Sequence, residues 1–266
     1  MPSVKKTLLD IIFASEKRKN TLLLLKEGPC EMDTLLKSLN TTRTALLPQI
    51  RILEDYYLID QLGNSYELTE IGELVTNEMI PLLDIIEVFD NKVDYLGTHN
   101  LDFIPPHLVK KISKLRKCKE VNLPLPESYQ LNQETVKTTF MSESFFVVTS
   151  FFHPNYPYIF PEMVQEDVKL HIIVSEYVLD IMRTQYHEIF VGLIRNGSLD
   201  LYAYPEEMGF QVIAFNDYRL LLRLLTNDGE IDINHMLCSS SDALEWGREL
   251  FEHYKYVSTP ITEDIF

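Results

Sequence analysis

Apolar residues recur at helical intervals along the front of the chain, through Leu8, Ile12, Leu22 and Leu25, with a polar cluster at 16–20 between them. Lys26-Glu27-Gly28-Pro29 ends that stretch, because Gly and Pro are helix stop signals. The pattern then predicts a short helix over 32–39, a turn at Asn40-Thr41-Thr42 whose threonines can cap the next helix, and that third helix over 43–56. In it Leu46, Ile50 and Leu53 repeat at four and three, which makes one buried stripe. Residues 58–62 and 66–69 read as two short strands around the Gly63-Asn64 turn. Helix, helix, turn, helix and hairpin is the order of a winged helix-turn-helix. The third helix of such a fold suits a DNA major groove, and its polar face here carries Thr42, Arg43, Thr44, Gln49 and Arg51. Pro48 falls inside this helix and predicts a kink or a late start.

Beyond the hairpin, Val75, Met79, Leu82, Ile86, Phe89, Val93 and Leu96 succeed one another at alternating spacings of four and three. This heptad pattern predicts a helix that packs along a seam with a second copy, bent near Pro81. The same stripe could instead cover the chain's own core. Asn100 to Pro106 breaks the helix, and 107–119 crowds Lys110, Lys111, Lys114, Arg116, Lys117 and Lys119 around an apolar side made of Leu108, Ile112 and Leu115. Such a run is first a solvated face and second a DNA-backbone contact. Residues 121–133, with Pro124 and Pro126, read as a linker.

From residue 140 the grammar changes to dense β-rich runs at 145–151 and 168–174, each succeeded by a helical pattern, at 158–166 and 176–195. Residues 199–204 and 210–215 read as strands, 219–225 as a strand or a buried helix, and a final helix comes after Ser240-Ser241-Asp242. The prediction for the whole is an α+β N-terminal winged helix-turn-helix over 1–80, a dimerisation helix and linker over 81–133, and a C-terminal α/β domain with a helix-covered sheet over 134–266. Ligands of such sheets bind at strand ends. The aromatic loop from Phe152 to Tyr158 lies at one, so His153, Tyr156, Ser175, Tyr202 and Asp217 are the candidate ligand-binding residues.

Charge modifies this picture. The net charge of −16 opposes nucleic acid, but residues 1–51 carry nine Lys/Arg against five Asp/Glu. Residues 52–80 carry seven acids and no Lys/Arg, so the hairpin should add little phosphate affinity; residues 81–266 are at net −13, which disfavours a strongly charged anion as effector. No phosphate loop, nucleophile elbow, zinc helix or dinucleotide fingerprint occurs, and His253-Tyr254-Lys255 is not followed by an Asp where a phospholipase D motif needs one. No catalytic residue, metal site or cofactor is therefore predicted. Three scattered cysteines, Cys30, Cys118 and Cys238, argue against both a disulfide framework and a zinc site. With no signal peptide and no apolar run of about 18 residues, the chain reads as cytoplasmic and free of membrane contact.

Residues 22–29, Leu46-Leu47-Pro48-Gln49-Ile50 and Tyr66-Glu67-Leu68-Thr69-Glu70-Ile71-Gly72 resemble winged-helix regulators of methanogenic archaea. The stretch from Asn100 to Pro106, the His153-Pro154-Asn155-Tyr156-Pro157 loop and the element around Trp246-Gly247-Arg248-Glu249-Leu250-Phe251 resemble the methanogen output domain that ends those proteins. The resemblance implies a cytoplasmic regulator that binds double-stranded DNA, and Pro48 seated in its third helix. It carries over no catalytic residue. Together with the seam, it leads to the expectation of a homodimer whose C-terminal domain senses a small polar effector or a partner. The competing expectation is a protein-interaction adaptor, which the net +4 of residues 1–51 disfavours.

Overall fold

The computed structural model describes residues 6–90, 92–124 and 130–266 and divides into two compact units, Met1–Asp84 and Ile85–Phe266. In the first, α1 (Leu8–Phe13) and α2 (Glu16–Lys26) are separate helices, where the apolar pattern alone suggested one. The chain breaks at Ala14-Ser15, and Arg18 in the polar cluster turns inward to donate its Nε–H to the Ile11 carbonyl. Next come β1 (Cys30–Glu31), α3 (Met32–Ser38), α4 (Arg43–Asp55), β2 (Ile59–Leu62) and β3 (Ser65–Leu68), with the strands paired antiparallel in the order β1-β3-β2. The α3–α4 turn is built by backbone. Asn40 takes φ +46°, Thr41 N–H reaches the Leu36 carbonyl at 3.1 Å and Asn40 N–H the Lys37 carbonyl at 3.2 Å, the paired bonds that close a helix onto a left-handed residue. Helix α4 runs through Pro48 from its first residue, so it does not start late. Leu22, Leu35, Leu46, Ile50, Leu53 and Leu58 are fully buried and form the core.

Helix α5 (Glu70–Asp90) is next, and the heptad stripe divides along it. Met79 is buried in the first core with Val75 against it, whereas Leu82 and Ile86 are exposed. The helix stops at Asp90, so Val93 and Leu96 belong to a second helix, α6 (Val93–Thr98). Phe89 and Leu96 lie in the core of the second unit, and Val93 is exposed. The run of lysines forms no single helix. It makes a short α7 (Pro106–Val109), a 3-10 turn at Ile112–Leu115 and an edge strand, β4 (Lys119–Val121). Leu108, Ile112 and Leu115 are buried as the pattern predicted. Of the stretch expected to be a linker, 125–129 lie outside the described residues; Asn132 caps α8 (Gln133–Thr139), its side chain accepting from Thr135 N–H.

The second unit is a mixed sheet, eight-stranded among the described residues. It is built from β5 (Ser144–Thr149), β6 (Lys169–Ser175), β7 (Leu199–Tyr204), β8 (Phe210–Phe215), β9 (Leu220–Leu224), β10 (His235–Cys238), β4 and β11 (Thr259–Ile261). The spatial order is β11-β7-β6-β5-β8-β9-β10-β4, with β5, β6 and β7 parallel and the remaining pairs antiparallel. Residues 219–225, read as strand or helix, are a strand. Helices α9 (Tyr156–Gln165), α10 (Glu176–Gln185) and α11 (His187–Arg195) supply one covering layer. Helix α12 (Ser241–Val257) covers the other face, where Trp246 is fully buried and donates its indole N–H to the Leu108 carbonyl at 3.2 Å. Cys118 and Cys238 are joined by a disulfide across the β4–β10 edge, against the sequence expectation. A separation of 120 residues hides a pairing that only the sheet order creates. No helix among the described residues is long and apolar enough to cross a membrane.

Candidate functional site

Two places bring polar groups together, one on each unit. On the first, α4 buries Leu46, Ile50 and Leu53, which turns Thr42, Arg43 and Thr44 outward at its start and Arg51 outward two turns on. Gln49 differs. It is half-buried, and its Oε1 accepts from Arg18 Nη1 at 2.8 Å, so the oxygen of its amide is engaged within the unit. The hairpin tip places Leu62 in solvent beside the acidic Asp60.

Two lysines of the second unit's basic run, Lys111 and Lys114, are held by carboxylates. Lys111 meets Glu249 at 2.6 Å, and Lys114 meets Glu245 at 2.7 Å and Glu249 at 3.3 Å, all on α12. These bonds raise the Lys114 pKa and lower that of Glu249, as opposite charges in contact do. A run read as a solvated face is therefore partly a latch across α12.

The second place is a cavity of about 60 Å³ between the sheet and helices α8 and α9. The loop after β5 delivers His153 and Tyr156 to it, as Asn155 precedes α9 at its N-terminus and Pro157 sits in its first turn. Asn155 N–H donates to His153 Nδ1 at 3.1 Å, which leaves Nε2 as the protonated nitrogen of the neutral ring. Burial pushes the Tyr156 phenol up to about 12, so it keeps its proton, and its ring stacks on Phe160 at 4.6 Å. Phe145 and Val147 of β5, Ile159 and Met163 of α9 and Val136 of α8 make an apolar wall. Strands β8 and β9 add Gln211 and Arg223. Arg223 is held in a buried place that lowers its pKa, offset by Tyr156, Tyr95 and Asp232.

Three sequence candidates lie elsewhere. Ser175 caps α10, its Oγ accepting from Val178 N–H; Tyr202 faces Lys255 Nζ at 5.3 Å; and Asp217 Oδ2 accepts from Glu143 N–H at 3.0 Å. Sequence reasoning missed Gln211 and Arg223. The signal was there for Arg223, a lone cation in Leu220-Leu221-Leu222-Arg223-Leu224, where a β-strand with both faces covered admits only apolar residues without cost. No group of His, Cys, Asp and Glu among the described residues could hold a metal ion.

Comparison with known proteins gives these features a context. Residues 6–87 match the family described as methanogenesis regulatory protein FilR1, N-terminal domain, and residues 128–256 match its middle domain. The methanogenesis regulatory protein FilR1 of Methanothrix harundinacea (strain 6Ac) is 24% identical over 260 residues, 95% of this chain. The chain spans 58% of that relative's length. Among solved structures, the archaeal chromatin protein TrmBL2, described as showing a novel mode of DNA binding, is 13% identical with a TM-score of 0.44 over 96% of this chain and 97% of its own. Nuc of Salmonella typhimurium, a phospholipase D family member, is 11% identical with a TM-score of 0.37 over 48% of this chain and 89% of its own. Both structures are too distant to fix fold or function.

Proposed function

The chain belongs to the FilR1 family of archaeal methanogenesis regulatory proteins, and we propose on that footing that it is a DNA-binding transcription regulator, not an enzyme. The observation that carries the reading is the outward face of α4, where Thr42, Arg43, Thr44 and Arg51 are exposed on a helix whose opposite stripe is fully buried. A helix so presented fits a major groove, with Arg43 and Arg51 able to pair a guanine edge or a phosphate. Gln49 stays in the contact set through its NH₂ alone, because Arg18 holds its Oε1.

A homodimer is part of the proposal, because one α4 and an acidic hairpin give each subunit few phosphate contacts. Its seam is α5, whose Ile71, Leu74, Leu82, Ile85 and Ile86 stand in solvent. The second unit is the effector domain, with the cavity that holds His153 and Tyr156 as its site. Ligand and DNA would then couple through two states that the ligand binds unequally.

The test is binding of purified protein to genomic fragments, then titration of an enriched duplex with the Arg43→Ala, Arg51→Ala double variant. Removing each base-reading side chain should cost about 1–3 kcal/mol and relax sequence preference at one position. Unchanged affinity in the double variant removes α4 as the reading helix. A wild type that enriches no fragment, yet captures a polymerase subunit through its hairpin, would make the chain an adaptor.

A further inference from the structure

The cavity holds a charge that the described residues do not balance. Arg223 is only 8% exposed, its Nε has no hydrogen-bond partner, and it forms no ion pair with a carboxylate among the described residues. Asp232, which it feels electrostatically, sits 3.1 Å from His99 instead. An arginine cannot shed its proton to escape the cost of burial, so a guanidinium in this position is destabilising until an anion reaches it. Gln211 is 4% exposed, and its Oε1 also lacks a partner among the described residues.

The backbone brings these two together. Strand β8 pairs Phe210 with Leu224 and Val212 with Arg223, so Gln211 is the extra residue of a bulge directly beside Arg223. A bulge re-aims a side chain that regular alternation would send to the other face. Here it lets Gln211 and Val212 both line the cavity.

We propose that this cavity binds the carboxylate of a small amphipathic acid, with Arg223 pairing the head group, Gln211 beside it, and the apolar wall covering the hydrocarbon body. Arg223 is the one cation among the described lining residues, which matches one negative charge; a doubly charged phosphate would leave an anion uncompensated within residues 81–266, already at net −13. Phe145, Val147, Ile159 and Met163 make an apolar wall that suits a hydrocarbon body. The Gln211 oxygen suits a hydroxyl or amide donor near the carboxylate, and with the amide turned over its NH₂ donates to the carboxylate itself. The inference rests on the reading of this cavity as the effector site and names the ligand that site takes.

Calorimetry and thermal shift on the full chain test it, with butanoate, hexanoate, octanoate and octan-1-ol as probes. The expected result is saturable binding of at least one acid at one site per chain, with octan-1-ol weaker than octanoate by about tenfold or more, as the absence of a charge-assisted pair implies. Arg223→Met should remove that preference while leaving alcohol binding within about twofold, because only the head-group partner is gone. It should also raise the melting temperature of the ligand-free protein, since it deletes a buried charge that no carboxylate among the described residues pairs. Ile159→Trp keeps Arg223 but fills the cavity, and should abolish binding of acid and alcohol alike.

No saturable binding of any of the three acids, equal affinity for acid and alcohol, or undiminished octanoate binding in either variant overturns the proposal. DNA affinity measured on the same samples separates the two readings. Acid binding through Arg223 with DNA affinity unmoved keeps this site and removes its role as effector site. Neutral metabolites that stabilise the protein through His153 while no acid does would keep the effector site and overturn the carboxylate.

Discussion

Gly72 occupies a position that no larger residue can take. An added Cβ would stand 1.9 Å from the Leu58 carbonyl oxygen, which is backbone and cannot rotate away. The approach is held by Thr69, whose hydroxyl donates to the Tyr57 carbonyl at 2.6 Å and accepts from Gly72 N–H at 3.0 Å. Gly72→Ala is therefore predicted to destabilise the first unit by at least the ~1–3 kcal/mol typical of overpacking, read by urea denaturation. A loss within experimental error would mean that α5 does not start against Leu58. His235 makes a different demand. Burial first, and Arg223 second, lower its pKa from 6.5 to about 4, and its unprotonated Nε2 accepts from Asn132 Nδ2 at 2.9 Å. The unfolded chain takes up a proton near pH 6.5 and the folded one only near 4, so the unfolded state binds more protons between those values. Stability is thus full above pH 6.5 and falls as the pH drops toward 4, by on the order of 3 kcal/mol from this residue. His235→Gln should flatten that part of the profile, and an unchanged slope would assign the loss to other groups.

At the scale of elements, α5 shows what a repeat can and cannot say. The 4-3 spacing through Val75, Met79, Leu82, Ile86 and Phe89 is real, yet an α-helix at 3.6 residues per turn drifts against a strict heptad. Its members consequently serve different surfaces. Met79 is buried with Val75 beside it, Phe89 packs on the second core, and Leu82 and Ile86 face solvent. The exposed apolar residues of the helix also include Ile71, Leu74 and Ile85, which the heptad leaves out, with Leu74 at 69% exposure. Met79→Ala should cost about 2–5 kcal/mol of stability without touching assembly. Leu74→Glu with Ile85→Glu should leave the fold intact and dissociate the proposed dimer, as read by light scattering. A wild type already monomeric at micromolar concentration would end the dimer proposal.

For the whole molecule, the net charge of −16 matters less than where cations are free. Lys111 and Lys114 are occupied by Glu245 and Glu249 of α12, whereas Arg43 and Arg51 are exposed. The Lys111→Ala, Lys114→Ala double variant is therefore predicted to leave DNA affinity within about twofold of wild type, since exposed ion pairs of this kind contribute at most ~1 kcal/mol and belong to the fold. If Arg43 and Arg51 neutralise phosphates, their removal should flatten the salt dependence of log K by about 0.9 for each phosphate no longer neutralised. A slope that falls instead in the lysine variant would move the DNA surface to the second unit.

The local pattern determined much of this protein by itself. The stripe of Leu46, Ile50 and Leu53, the Gly63 turn and the β-rich runs at 145–151 and 168–174 each arise from interactions within a few residues, where periodicity and turn chemistry are decisive. The loop carrying His153 and Tyr156 was legible for the same reason, being a stiff aromatic segment at a strand end. What only the tertiary structure decided depends on partners far away in the chain. Strands β4, β10 and β11 are three or four residues long and acquire their form from their neighbours, and the Cys118–Cys238 bond exists because β4 and β10 meet. The Gln49 side-chain oxygen is taken by Arg18, 31 residues earlier. Arg223 reads in the sequence as one charge in a leucine run, and only the sheet shows that its strand is covered on both faces, with the Gln211 bulge beside it and no carboxylate paired to it among the described residues. Side-chain periodicity can say which way a residue points, but what it meets there is set by the order of strands.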